Sequence, residues 1–294
     1  MTDGDMPLYE LYEDVTLMEP VLIVGLEGWI DAGLGASAAI QALLESSPTE
    51  LLAGFDDDRL LDQRARRPAA RIADGVTTSM SWPAVELRTG VDLEGRDVLY
   101  LVGPEPDMHW NSFVDAVVEL AQRLDVRLVV GLGAFPAPAP HTRPIRLTAT
   151  VPESSARLLE HFGLVVGEFE VPAGISTALE LGFGERGIDM ITLWARVPHY
   201  VASMPFPQAS EALIEGLCRV AELSFDVTQL ATEADGTLAQ IDDLVASNPE
   251  HVAMVRSLES AVDAAEGNTL GIDELPTGDE LAAELERFLR GEES

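Results

Sequence analysis

The sequence has no lysine. All 18 of its basic residues are arginine, set against 51 aspartates and glutamates, so the formal net charge over 294 residues is −33. Without lysine there is no P-loop lysine, no pyridoxal-phosphate Schiff base and no lysine nucleophile. Scarce positive charge argues against duplex nucleic acid, whose binding rests on cationic contacts to phosphate, and against anionic membrane surfaces. Basic surfaces of other proteins remain compatible with it, and solubility alone also accounts for it. Cysteine is nearly missing too. Cys218 stands alone, which leaves no disulfide within the chain and no thiolate cluster for zinc or iron–sulfur. No run approaches the roughly 18 apolar residues of a membrane helix. The opening residues, MTDGDMPLYELYED, are acidic and lack an apolar stretch, so no signal peptide and a cytoplasmic location are expected. GxSxG and HExxH are absent, the first glycine turn is not GxGxxG, and neither a cofactor nor a metal site is expected.

What is present reads as a soluble globular chain, 47% apolar and 23% charged. Its charge is unevenly spread. Residues 1–58 hold 13 acids and no base, residues 59–221 hold 20 acids and 15 Arg, and residues 222–294 hold 18 acids and three Arg. This predicts an α/β domain over 1–220 and an acidic, all-helical extension over 221–294. In the first part, Val21 to Leu26, Asp97 to Val102 and Val126 to Leu132 are continuous apolar runs, as in strands buried on both faces. Helices follow the first two, over 36–45 and 111–124, with Asn111 or Ser112 as cap. Ile145 to Val151, Leu164 to Val171 and Asp189 to Val197 read as further strands. Pro152 opens a short helix, and Ser176 caps another ending near Gly182. Repeated strand then helix implies a mostly parallel sheet with helices on both faces. Residues 51–90 break the pattern with a charged loop and two alternating strands, VTTSMSW and AVELRTG, which read as a hairpin at the sheet edge. From Ala209 onward the periodicity is helical, with breaks at Asn248-Pro249 and over NTLGIDELPTGD.

Ligands of open α/β sheets sit beyond the carboxyl ends of the strands, so the loops that leave the buried strands define a candidate rim. The first exit carries Glu27, Trp29 and Asp31 among glycines; its acids would repel phosphate, and a tight turn with a packed Trp also explains it. The second, Gly103-Pro104-Glu105-Pro106-Asp107, holds two carboxylates on a stiff turn, with Trp110 just beyond. Paired carboxylates can do acid–base work or bind a hard cation, or Asp107 can simply favour the helix dipole. The third, GLGAFPAPAPHTRP, presents His141 as the best acid–base candidate and Arg143 as a fork for carboxylate or phosphate. An oligomer contact, or pairing of Arg143 with Glu105 or Asp31, is the plainer alternative. A fourth segment, Pro198-His199-Tyr200 with Pro205-Phe206-Pro207, reads as a strand exit with exposed aromatics. Cys218 falls on an apolar helical face and reads as core.

Four segments, EGWIDAG, GPEPDMHW, AFPAPAPHTRP and PFPQASEAL, together resemble the proteasome assembly chaperone 2 family over roughly residues 8–220. The tail resembles the helical extension of the family's actinobacterial-type members. The resemblance implies a sandwich similar to the nucleoside phosphorylase and peptidyl hydrolase folds without their catalytic machinery. It also implies self-association or pairing with a related chain, and chaperone-like work on the proteasome core as in eukaryotic and archaeal relatives. The role of bacterial members it leaves open. The chaperones that dock on the proteasome ring end in a hydrophobic–Tyr–any tripeptide, whereas this sequence ends Arg290-Gly291-Glu292-Glu293-Ser294, so docking by that route is not expected. Three functions follow. The first is a non-enzymatic, homo-oligomeric protein-binding protein. The second is a small-molecule enzyme or binder using Glu27, Asp31, Glu105, His141 and Arg143. The third is a purely structural oligomer.

Overall fold

The computed structural model describes residues 7–267 apart from 165, 166 and 169. In chain order the elements are β1 (Tyr9–Leu11), β2 (Val21–Glu27), α1 (Gly35–Ser46), β3 (Glu50–Phe55), α2 (Asp57–Leu60), β4 (Ala69–Ala73), β5 (Val76–Ser81), β6 (Glu86–Val91), β7 (Asp97–Pro104), α3 (Trp110–Arg123), β8 (Leu128–Ala137), β9 (Leu147–Thr150), α4 (Ile175–Glu185), β10 (Met190–Pro198), α5 (Pro207–Ala221), α6 (Thr228–Ala246) and α7 (Pro249–Gly267). A 3₁₀ helix over Glu153–His161 takes the place of the short helix expected after Pro152.

Residues two apart on a strand share a face, so a strand apolar at every position is buried on both. β2 shows this directly. Val21 and Ile23 enter one core with Val98 and Tyr100 of β7 and Leu128 and Val130 of β8. Leu22 and Val24 enter the other core with Leu99 and Leu101. Ala39, Ile40 and Leu43 of α1 and Leu213 and Leu217 of α5 cover the first face. Phe113 and Val117 of α3 and Leu179 and Phe183 of α4 cover the second. Each such side chain, fully buried, contributes about 1.5–3 kcal/mol relative to exposure.

The eight-stranded sheet has the order β1-β3-β6-β7-β2-β8-β10-β9. Its four central strands, β7, β2, β8 and β10, run parallel. β6, β3 and β1 add antiparallel neighbours at one side, and β9 adds one at the other. The sheet is therefore mixed, parallel where both faces are buried and antiparallel at its flanks. β8 extends past the expected Leu132 to Ala137, so half of the proline-rich stretch is strand rather than loop. Of the expected strand from Leu164 to Val171, residues 165, 166 and 169 lie outside the described residues. The described ones form no strand, and only Gly163 bridges to Thr148.

The edge hairpin is arranged differently from its sequence expectation. The AVELRTG segment is β6, a full member of the main sheet. VTTSMS instead pairs with Ala69–Ala73, and β4 and β5 form a separate two-stranded sheet with every residue exposed. Asp74 and Gly75 make its two-residue turn, both at positive φ (50° and 81°), as the twist of a tight hairpin demands. Gly103 also requires glycine, since at φ 120° an added Cβ would lie 2.1 Å from the Ala84 carbonyl oxygen.

The helical extension packs on the core of the same chain. Leu230 and Ile241 of α6 join the first core, and Val255 of α7 is also buried. The break at Asn248-Pro249 is as expected, with Asn248 Oδ1 accepting from the Glu250 N–H at 2.9 Å. The expected last helix, TGDELAAELERFLRG, and the terminal residues 290–294 lie outside the described residues. Among the described residues no helix is long and apolar enough to cross a membrane.

Candidate functional site

Parallel neighbours end on the same side, so β7, β2 and β8 deliver their exits to one edge. Glu27 stands in register with Pro104, and Asp31 bridges to Ala134 of β8. The rim expected from the sequence is thus a place on the molecule, and its residues fall into two groups.

The first group lies over β7 and β2. Glu105 donates its N–H to the Glu27 carbonyl at 3.0 Å, which turns its side chain inward. Glu105 is 7% exposed, and its Oε1 accepts from the Ile175 N–H at 2.7 Å. It thereby caps α4 from 70 residues away, placing negative charge where free N–H groups of a helix concentrate. The expected local cap, Ser176, is displaced, and the residue at the cap position is Gly174. Glu105 Oε2 faces Gly28, whose added Cβ would lie 3.2 Å from it. Trp29 is 59% exposed beside this carboxylate, its Nε1 3.7 Å from the Cβ position of Gly174. The Glu27 side chain is exposed and makes no polar contact among the described residues. Asp107 accepts from Arg66 Nε and Nη2, both at 3.2 Å, and from the Asp62 N–H at 2.8 Å. Trp110 donates Nε1–H to the Pro106 carbonyl at 2.5 Å and begins α3, so neither Asn111 nor Ser112 caps it. Asp31 serves α1, accepting from the Ala36 N–H at 2.8 Å and from the Ser37 N–H and hydroxyl at 2.9 and 2.6 Å.

The second group lies beyond β8 and β10 and belongs to the helical extension. The His141 side chain is 1% exposed. Its N–H donates to the Tyr200 oxygen at 2.8 Å, and Nδ1 is 2.7 Å from the same oxygen. Nε2 is 3.1 Å from Asp242 Oδ1 of α6. A proton on Nε2 satisfies all three bonds: Tyr200 accepts from the backbone, donates to Nδ1, and Nε2–H donates to Asp242. Burial keeps the Tyr200 hydroxyl protonated, its pKa pushed up to about 12. Arg143 makes a fork to Asp263 of α7, Nε at 2.9 Å and Nη2 at 2.8 Å, with Glu259 3.1 Å from Nη1. Thr142 Oγ1 donates to the same Glu259 at 2.5 Å. Glu105 and Asp31, the partners weighed for Arg143 from sequence, are committed to the helix N-termini. Neither His141 nor Arg143 touches Glu27, Asp31 or Glu105. The aromatics after β10 are also less exposed than expected: Phe206 is 1% exposed in the first core, and Tyr200 is half-buried. Cys218 is half-buried against the first core, and desolvation pushes its thiol pKa up.

Sequence reasoning missed Arg66, Asp242, Glu259 and Asp263. The last two had a signal, since acids four apart on a helix share a face. Among the described residues no group of three or more His, Cys, Asp or Glu is arranged to hold a metal ion.

The sequence model of the PAC2 family matches residues 25–245. This chain belongs to the PAC2 family. The match runs from the first rim turn through nearly all of α6, further along the chain than the four sequence segments reach. Among solved structures, a Mycobacterium tuberculosis protein of unknown function is 35% identical, with 90% of this chain and 94% of that one covered and a TM-score of 0.82. A proteasome-assembly chaperone homologue from the same organism is 33% identical over 80% of this chain and 99% of its own, at 0.73. An archaeal proteasome activator from Pyrococcus furiosus shares the PAC2 fold at 17% identity, covering 81% and 99%, at 0.61. No curated protein matches the sequence significantly.

Proposed function

We propose that this PAC2 protein acts by binding other proteins, as a chaperone-like assembly factor, and not by transforming a small substrate at its rim. One observation carries the reading: the side chains best suited to chemistry are held in internal caps and clamps. Asp31 and Glu105 satisfy helix N-termini, Asp107 is held by Arg66, and His141 and Arg143 fasten the extension. A general acid or base needs a free position near a substrate proton, which these bonds occupy. The likeness to a proteasome-assembly chaperone homologue supports the choice of partner class. The test is binding of the purified chain to isolated proteasome core subunits, followed by native mass spectrometry in low and moderate salt. Complexes with subunits or half-assembled cores are expected, unchanged by Glu105→Gln. Recovery of no complex in either salt overturns the reading.

A small-ligand reading keeps a narrower footing in Glu105 Oε2, Gly28 and the exposed Trp29, which adjoin at the rim. Thermal shift against nucleosides, phosphate and amino acids tests it. A ligand at a hundredfold excess over Kd stabilises by about 3 kcal/mol, and Glu105→Gln should abolish the shift.

A further inference from the structure

The hairpin of β4 and β5 is built for a cover that the single chain does not supply. Ala70 and Ile72 share one face of β4 and stand opposite Met80 and Thr77 in the ladder, and Trp82 continues the Met80 face one residue past β5. A register shift between Arg71 and Ile72 puts Arg71, Ser79 and Ser81 on the other face, with Val76. The hairpin therefore has an apolar side and a more polar side, yet Ile72, Met80 and Trp82 are 65, 49 and 52% exposed. Two strands alone are marginal in water, so a stripe of this kind calls for a partner surface.

The charge identifies the partner. Residues 59–82 carry five Arg and two Asp, while the chain as a whole carries −33. Arg66 and Arg59 are engaged at the root, but Arg64, Arg67 and Arg71 are exposed and make no ion pair among the described residues. The root is fixed in direction by the Arg66–Asp107 fork and by Leu60 and Leu61, both buried, so the arm is presented ready to dock. A basic, apolar arm on a strongly acidic body is complementary to that body. Arm against arm would oppose arginine to arginine, so the complement is the body and not the other arm.

We infer that the β4–β5 arm docks on the acidic surface of a second copy of this chain. Reciprocal exchange of residues 64–82, each arm meeting the other body, approaches the 20–30 residues a side of a stable interface. The inference stands apart from the chaperone-like reading.

Sedimentation velocity on the full chain tests it, over micromolar to 100 μM protein at about 50 mM salt. The wild type should sediment above the 31.6 kDa monomer. Met80→Ser with Trp82→Ser, and separately Arg67→Glu with Arg71→Glu, should each weaken association at least tenfold with Tm unchanged, because these side chains touch no core. A variant with residues 69–81 replaced by a short Gly-Ser link should be monomeric alone but enter mixed complexes with wild type, as an acceptor for its arm. A monomeric wild type at 100 μM overturns the inference, as does full association of either double variant or exclusion of the armless chain from mixed complexes. Association through the arm without proteasome binding would sink the assembly-factor reading and leave this one standing.

Discussion

The two halves of the rim are fastened by different physics. Over β7 and β2, Glu105 and Asp31 bind backbone N–H groups of helices within the sandwich, and Arg66 alone answers Asp107 with charge. Beyond β8 and β10, a buried histidine and a half-buried arginine reach helices more than 100 residues away. The first half is part of the sandwich's own closure. The second is a clasp, added by an extension that also buries Leu230 and Ile241 in the first core. Carboxylates build an internal cap in one place and, together with an imidazole and a guanidinium, a docking joint in the other.

Substitutions separate the halves. The largest effect is expected from His141→Ala, which empties a buried site and strands Tyr200; about 3 kcal/mol of stability should be lost in urea unfolding. Glu105→Ala should cost about 2 kcal/mol by uncapping α4, with local exchange protection falling at Ile175 to Leu179 and not at α6. Arg143→Ala should leave global unfolding little changed. It should instead speed proteolytic cutting between α5 and α6 severalfold, and 0.5 M salt should give wild type the same sensitivity, because exposed ion pairs are screened. If salt left the wild type as resistant as before, the clasp would not be electrostatic.

The smallest effect belongs to Glu180 of α4, whose carboxyl accepts from Thr150 Oγ1 at 2.6 Å and whose pKa burial raises. The fold favours its protonated form. Its contribution is full below the ordinary glutamate value and is lost as pH rises through the raised one. Glu180→Gln should therefore raise Tm at pH 7, with the gain vanishing at pH below the ordinary glutamate range. A gain independent of pH would point to packing.

The central strands were legible because burial on both faces writes an unbroken apolar run, as in VLIVGL and DVLYLV. The rim followed, since parallel neighbours must end together. β3 and β1 were missed because strands of six and three residues at a half-exposed flank carry little pattern. Asp74-Gly75 was a readable hairpin signal, and it points to Ala69–Ala73 as partner of VTTSMS instead of AVELRTG. The role of Glu105 was illegible for a different reason. A cap supplied from 70 residues away leaves no local trace, whereas the local candidate, Ser176, looks sound on its own. His141 and Arg143 stood out on a proline-stiffened loop, and their side chains are held by Asp242, Glu259 and Asp263. The holder, a helix pair far along the chain, is a tertiary fact that no local spacing encodes.

The main sheet ends in β1, three residues long, and β9, four residues long. A foreign strand arriving at either border finds only a few backbone partners before the ladder stops. Growth of one molecule's main sheet into the next is thereby stunted at both borders. A neighbour meeting either border is met by side chains and charge more than by a continuing ladder.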